Sequence, residues 1–213
     1  MSDEEIFDLI ELDLPIEQLD FGAGDPKDGR SAEVMSQGVI KKTTTKEMCR
    51  IGLKGEWAKK LYFLIKDSKP NVILELGTCC GFSSIYMSKA NPQSSIYTIE
   101  GSNELANIAK SNRVKANCQN VIQKVGRFSD VLPTLLPDIS PIDFAFIDGH
   151  HDRDATIRYF EQIANFMSKE GVMVFDDITW SDGMREAWRQ IKESDKCELL
   201  EESEKFGIIK VSI

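Results

Sequence analysis

Short apolar runs alternate with amphipathic stretches from residue 54 to the end of the chain. Five of these runs, each followed by a segment of helical spacing, predict strands at 72–76, 95–100, 121–125, 142–148 and 171–177. The last two runs, 197–202 and 206–213, have only a short loop between them and predict an antiparallel hairpin. The polar-apolar spacing predicts helices over 31–37, 54–67, 82–90, 103–116, 129–136, 154–167 and 183–193.

A strand followed by a helix, repeated five times, implies right-handed crossovers and a parallel sheet that is covered on both faces. The predicted fold class is therefore α/β, with a Rossmann-like, doubly wound, mostly parallel seven-stranded sheet in three α/β/α layers. The C-terminal hairpin adds one reversed strand near an edge. We expect an N-terminal, partly helical segment over 1–50, which opens with a short acidic helix, and a single sheet domain over 51–213.

Composition narrows the class of protein. The 213 residues include 26 Lys and Arg against 35 Asp and Glu, a net charge of -9, which argues against a nucleic-acid partner. An acidic start without an apolar core predicts no signal peptide, and the lack of long apolar runs predicts no membrane partner. Five cysteines without a CxxC pair are typical of a reducing, cytoplasmic setting. The sequence does not decide between a monomer and a homodimer.

The stretch ILELGTCCGFSS joins the first of these strands to a helix. Gly77 and Gly81 permit positive φ and a close approach to the backbone, while the helix N-terminus and Ser83 offer donors to a carboxylate. Glu75 and Thr78 complete this corner. It is either a sharp turn and nothing more, or the floor of a pocket for a nucleotide-like molecule.

Further polar residues follow the ends of the other strands, where open parallel sheets bind ligands. Glu100 can accept hydrogen bonds from both hydroxyls of a ribose, and Phe128, after the third strand, is placed to hold an adenine. Asp148, Asp176 and Asp177 could surround a divalent cation, Mg²⁺ or another that prefers oxygen ligands. The alternative is that these aspartates cap helices.

Four motifs in order, ILELGTCCGFSS, YTIEGS, FAFIDGHH and GVMVFDDITWSDG, resemble the class I S-adenosylmethionine-dependent methyltransferases. Within them, the chain is similar to the catechol O-methyltransferase-like group over about residues 35–213. The resemblance implies S-adenosylmethionine as cofactor of the 51–213 domain, a small-molecule methyl acceptor, and a lid formed by the N-terminal segment.

The resemblance also implies residue roles. Glu75, Gly77, Gly81 and Ser83 would hold the methionine part, Glu100 the ribose, and Phe128 and Ser129 the adenine, whereas Thr78 and Asp148 would complete the cofactor pocket; Asp148, Asp176 and Asp177 would bind the cation. Two positions depart from the group: Asp177 replaces a typical Asn, and His151 stands where catechol-type enzymes carry a lysine base.

The mechanism expected from these roles aligns an acceptor hydroxyl with the sulfonium methyl group. A cation held by Asp148, Asp176 and Asp177 would lower the pKa of that hydroxyl, and His151 would take the proton, so that His151 and Asp148 serve as catalytic residues. Three alternatives stay open at this point. The first is a nicotinamide-dependent oxidoreductase, although the loop after the first strand lacks the GxGxxG motif of such enzymes. The other two are a non-catalytic cofactor-binding module of the same fold and a metal-dependent hydrolase.

Overall fold

A computed structural model describes residues 13–212 of the chain. Its strands are β1 (Pro15–Asp20), β2 (Val39–Thr44), β3 (Val72–Leu76), β4 (Ser95–Glu100), β5 (Val121–Val125), β6 (Ile142–Ile147), β7 (Met167–Phe175), β8 (Cys197–Glu202) and β9 (Gly207–Val211). Its helices are α1 (Ala32–Gln37), α2 (Thr45–Ile51), α3 (Gly55–Ser68), α4 (Phe82–Ala90), α5 (Asn103–Lys115), α6 (Phe128–Ile139), α7 (Arg153–Ala164) and α8 (Asp182–Lys192).

Seven strands form one sheet in the order β5-β4-β3-β6-β7-β9-β8. The first five of these strands pair in parallel, and β9 pairs antiparallel with both β7 and β8. The predicted doubly wound sheet with a reversed strand beside its edge is confirmed. The chain leaves β3 toward β4 on one side and later returns to β6 on the other, so the switch in strand order lies at the carboxyl end of β3.

Two apolar clusters cover the two faces of this sheet. Alternate residues of β3 point to opposite faces, so Ile73 packs against α3 and α4 while Leu74 and Leu76 pack against α6 and α7. The inner strands β3, β4, β6 and β9 are largely buried on both sides, which explains why they read as near-continuous apolar runs, whereas the edge strands β5 and β8 are mostly exposed. The three-layer α/β/α arrangement is confirmed, and its rigid strand ends position the residues described below.

Most helices and several strands are shifted by one or two residues, and three boundaries differ from the prediction by three or more. Helix α7 ends at Ala164 instead of 167, because β7 already begins at Met167. Helix α6 runs through Pro137 to Ile139 instead of ending at Leu136, because Ile139 is buried against the core and this burial outweighs a lost backbone hydrogen bond. Strand β7 begins at Met167 rather than 171, and a register irregularity lets Met167 pair with Ile142.

The N-terminal segment contains a small antiparallel sheet that the sequence pattern did not reveal. Strands β1 and β2 pair along their full length, with α1 in the connection. Asp20 holds this unit together, since its Oδ2 accepts from Arg30 at 2.7 Å and lies 2.9 Å from Lys41 Nζ. The acidic helix expected at the start lies outside the described residues. Within 13–212, every helix is too short or too polar to cross a membrane.

Candidate functional site

The backbone between β3 and α4 makes a tight corner at the switch in strand order. Gly77 has φ of 96°, and a Cβ there would lie 1.9 Å from the carbonyl oxygen of Asp148, so glycine is required. Gly81 has φ of 83° and donates its amide to the carbonyl of Thr78 at 2.8 Å. The Thr78 hydroxyl is hydrogen-bonded to that of Thr98 on β4. The corner is thereby held against both neighbouring strand ends.

Glu75 lies fully buried beneath this corner. Its Oε2 accepts from the hydroxyl of Ser84, a partner that sequence reasoning missed. Its Oε1 has no hydrogen-bond partner among the described residues. Burial raises the pKa of Glu75, which the neighbouring hydroxyls of Ser83 and Ser84 and the charge of Arg113 counteract. Glu75 on β3 thus brings a carboxylate oxygen without a partner near the hydroxyl of Ser83, which lies in the first turn of α4.

Glu100 ends β4 and is tied to the same corner. Its Oε2 accepts from the amide of Cys79 at 2.8 Å, and its Oε1 accepts from the amide of Ser102 at 2.9 Å. Burial raises the pKa of Glu100 to about 7, although both amides favour the ionised form. Each oxygen keeps a second lone pair for another donor.

Phe128 and Ser129, at the start of α6, differ in their surroundings. The Phe128 ring packs edge-on to Tyr159, with centroids 5.5 Å apart, and a Cβ on Gly149 would lie 3.0 Å from it. Ser129 is exposed, and its hydroxyl donates to Asp130 at 3.1 Å. The structure thus brings Phe128, rather than the Ser129 hydroxyl, toward the loop after β6.

Three aspartates meet at the ends of β6 and β7, as predicted. Asp176 is buried, and its Oδ1 accepts from the amide of Asp177 at 2.8 Å. Burial and the nearby charge of Asp177 raise the pKa of Asp176 to about 6. Burial and the charge of Asp176 raise the pKa of Asp148 well above its usual range. Asp148, Asp176 and Asp177 therefore lie close enough for like charges to add to the effect of burial.

The two histidines after β6 point to different places. His151 Nε2 lies 3.8 Å from Asp148 Oδ1, and the His151 ring lies 6.2 Å from the ring of Trp180, which is 44% exposed. Burial lowers the pKa of His151, so the ring is neutral near pH 7 and able to accept a proton. His150 instead hydrogen-bonds the Tyr159 hydroxyl at 2.7 Å through Nδ1.

A lysine that was not among the predicted site residues lies in this cluster. Lys205 Nζ is 2.8 Å from Asp176 Oδ1 and also contacts Asp177 Oδ1. Although burial opposes its charge, the two carboxylates raise the pKa of Lys205 above its ordinary value. The cluster therefore contains a fixed positive charge between two of its acids.

The N-terminal segment crosses the same edge of the sheet. The Ala23 amide donates to the carbonyl of His150 at 2.7 Å, and a Cβ on Gly101 would lie 2.7 Å from the ring of Phe21. Farther along, Arg127 donates to the carbonyl of Ser36 at 3.0 Å. The segment thus contacts the loops that follow β4, β5 and β6.

Comparison with known proteins bears on this arrangement. Residues 74–178, which include the corner and all three aspartates, match the family model described as a methyltransferase domain. The catechol O-methyltransferase of Mycobacterium tuberculosis is 29% identical over 140 residues, which are 65% of this chain and 62% of that protein. The catechol O-methyltransferase of Niastella koreensis is 32% identical over 139 residues, 64% of this chain and 62% of that protein. The chain thus spans about three fifths of the length of these curated relatives.

Solved structures give the same result. The cofactor-bound protein Rv0187 from MTB has a TM-score of 0.69 at 25% identity and covers 76% of this chain and 82% of its own. The O-methyltransferase TomG from Streptomyces achromogenes, solved in complex with SAM, has a TM-score of 0.66 at 25% identity over the same shares. Residues 74–178 are thus a methyltransferase domain, and the chain is similar to the class I methyltransferases of the catechol O-methyltransferase-like group. This similarity favours the interpretation of the corner as a pocket floor over a turn without a ligand.

The methyltransferase group leads one to expect a divalent cation, but the aspartates do not fit one with Lys205 in place. Asp176 Oδ1 already accepts from an amide and lies against the ammonium. Another set within residues 13–212, Asp148, His151 and Asp177, has ligand atoms within 4.8 Å of one another. A divalent ion there would lie beside the lysine that contacts Asp177, and the two positive charges would repel.

Sequence signals could have identified Lys205. Because β9 runs opposite to its neighbours, its first residue lies at the edge where the parallel strands end, and Gly207 pairs with Phe175. The residues just before β9 must therefore lie next to those just after β7. By contrast, nothing in the local sequence indicated that Ser84 would be the donor to Glu75.

Proposed function

We propose that this methyltransferase moves a methyl group from S-adenosylmethionine to an oxygen atom of a small molecule. The proposal rests on one observation: the backbone corner at Gly77 packs directly against the backbone of Asp148. The contact is so close that a Cβ placed on Gly77 would lie 1.9 Å from the carbonyl oxygen of Asp148. A site that suits an amino-acid nucleoside thus adjoins the only two predicted catalytic side chains, Asp148 and His151.

The residues around the corner fit the cofactor. The unpaired, buried Oε1 of Glu75 suits the ammonium group of a methionine moiety, and the N-terminus of α4 with Ser83 suits its carboxylate. Glu100 would accept from the ribose hydroxyls, and Phe128 would pack on the adenine. Gly77, Thr78 and Gly81 would leave room for the backbone to approach, while Ser129 contributes least because its hydroxyl bonds Asp130.

When bound, the cofactor supplies a sulfonium whose methyl group is already activated for transfer. The protein then has to orient the acceptor and remove its proton. Neutral His151, exposed by 24% in its side chain, is able to take that proton, and Asp148 at 3.8 Å would stabilise the imidazolium that forms. Trp180 would form a wall of the acceptor site next to the His151 ring.

The described part of the N-terminal segment supports its assignment as a lid. Its residues 21–23 lie on the loops after β4 and β6, the strand ends that carry Glu100 and Asp148. A segment in this position would exclude water from the transfer and enclose the acceptor.

Calorimetric titration with S-adenosylhomocysteine, followed by a methyl-transfer assay on a panel of phenols and catechols, tests the proposal. We expect His151→Asn to keep the affinity for S-adenosylhomocysteine while turnover falls by about 10²-fold or more. His150→Asn is the matched control, since that ring faces Tyr159, and we expect its turnover to match the wild type. Absence of S-adenosylhomocysteine binding, or full turnover in both His151→Asn and Asp148→Asn, would overturn the proposal.

A further inference from the structure

Lys205 reaches the aspartates through the topology of the sheet. It lies in the turn between β8 and β9, and the pairing of Gly207 with Phe175 sets this turn beside the end of β7. Its Nζ lies 2.8 Å from Asp176 Oδ1 and contacts Asp177 Oδ1 as well. The lysine is thus shared between two of the three acids that the sequence assigned to a metal ion.

The turn that carries Lys205 is firmly anchored. The Lys205 carbonyl accepts from the amide of Ile178 at 3.2 Å, and the amide of Ser203 donates to the carbonyl of Phe206 at 2.9 Å. Phe206 is fully buried and packs on Trp57, with ring centroids 5.1 Å apart. The ammonium is therefore held in place by the fold, in addition to its ion pairs.

The burial of Asp176 makes such a partner necessary. Its side chain is 3% exposed, and an ionised carboxylate at that depth requires a counter-charge. Lys205, 25% exposed, supplies it from within the chain, at the place where a cation-dependent site would need an ion. Both charges cannot occupy this position, since a lysine and a divalent ion in contact with the same oxygens repel each other.

We propose that Lys205 is a built-in replacement for the divalent cation: its ammonium holds Asp176 and Asp177 together and keeps a positive charge beside Asp148 and His151. Lys205 is a positioning residue for the acceptor site, and the protein works without a bound metal ion. Its part in methyl transfer rests on the proposed function, whereas the exchange of ion for lysine does not.

Metal binding is the direct test, because a purely structural lysine would not alter it. Mn²⁺ titration monitored by electron paramagnetic resonance, on protein stripped with EDTA, would compare the wild type with Lys205→Met. We expect no binding by the wild type at millimolar Mn²⁺ and clear binding by Lys205→Met, whose melting temperature alone rises with Mn²⁺. Lys210→Met is the matched control, since Lys210 also lies between two carboxylates, Glu198 at 3.1 Å and Glu170 at 3.5 Å, on the surface.

Activity gives a second readout once an acceptor is found. We expect wild-type turnover to be indifferent to EDTA, and turnover of Lys205→Met to fall at least about tenfold and to recover in part with Mg²⁺ or Mn²⁺. Wild-type Mn²⁺ binding that Asp177→Asn abolishes, or a failure of folded Lys205→Met to gain any binding, would overturn the inference.

Should Lys205→Met not fold, the wild-type titration still decides, and Lys205→Arg, which keeps the charge, is expected to fold and to bind no Mn²⁺. Calorimetry with S-adenosylhomocysteine on the same samples separates the two proposals. Absence of S-adenosylhomocysteine binding would overturn the proposed methyl transfer. The Mn²⁺ titration would still test whether Lys205 replaces the metal ion.

Discussion

Glu100 offers a quantitative test of the buried corner. Its folded-state pKa of about 7 lies well above its ordinary value of 4.5, because the side chain is buried. The native protein therefore binds one more proton than the unfolded chain between these two values. Stability from this group is fully present below about pH 4.5 and is lost as the pH rises through about 7. The two pKa values differ by about 2.5, which corresponds to about 3 kcal/mol of unfolding free energy.

Glu100→Gln removes the titration and keeps the shape of the side chain. We expect the unfolding free energy of the wild type to fall by up to about 3 kcal/mol, relative to the variant, between about pH 4.5 and about pH 7.5. The variant also carries a pH-independent cost in stability, because its amide NH₂ cannot accept from the backbone donor that a carboxylate oxygen satisfied. The informative quantity is therefore the difference in pH slope, measured by urea denaturation at several pH values.

Asp138→Asn, at an exposed position on α6, is the control and should keep the wild-type slope. Binding of S-adenosylhomocysteine gives an independent check, since an ionised Glu100 accepts more strongly from the ribose hydroxyls. The wild-type affinity should rise with pH through about 7, and that of Glu100→Gln should not. Identical slopes of stability in wild type and Glu100→Gln would refute the assignment of a strongly shifted carboxyl at the end of β4.

Two further substitutions test the packing that positions the site. Gly77→Ala should lower the unfolding free energy by at least about 2 kcal/mol and abolish S-adenosylhomocysteine binding, because its Cβ would overlap the carbonyl of Asp148. Gly29→Ala is the control: Gly29 also has positive φ, but a Cβ there would meet nothing within 4 Å, so the expected loss is only about 1 kcal/mol. Equal melting temperatures of the two variants would contradict this prediction. Phe206→Ala should cost about 3–5 kcal/mol in urea denaturation, because it empties a fully buried site against Trp57; a loss below about 1 kcal/mol would show that the hairpin turn is not anchored there.

The main sheet could be predicted from sequence because its inner strands are buried on both faces and turn residues separate the strands from the helices. Four strands, β3, β4, β5 and β8, begin and end at the predicted residues. The β1–β2 sheet could not, since both strands alternate polar and apolar residues only weakly, and their pairing joins positions such as Ile16 and Thr43 through a long connection. Such pairing is a tertiary property, which local periodicity does not encode.

The candidate site divides in the same way. Residues at the strand ends or directly after them, such as Glu100 and Asp148, were predictable, because parallel strands bring their carboxyl ends to one edge. The orientation of side chains was not predictable: Ser129 lies at the predicted position, yet its hydroxyl bonds Asp130. Of the two adjacent histidines, His151 lies near Asp148 while His150 bonds Tyr159. The direction of a side chain depends on the residues that pack around it in the folded protein. The position of a residue in the sequence predicts only which part of the fold it lies in.

Lys205 changes the meaning of residues that the sequence had identified correctly. Counted along the chain, Asp148, Asp176 and Asp177 are three acids without a partner, and an unpaired set of this kind predicts a metal ion. The lysine is 28 positions away from Asp177, so no local pattern includes it. A reversed strand, however, always delivers its first residues to the edge where its parallel neighbours end. A count of the charges at such an edge must therefore include the turn that precedes the reversed strand. When Lys205 is counted, the aspartates form an ion-pair network with it, and this network takes the place of the metal ion.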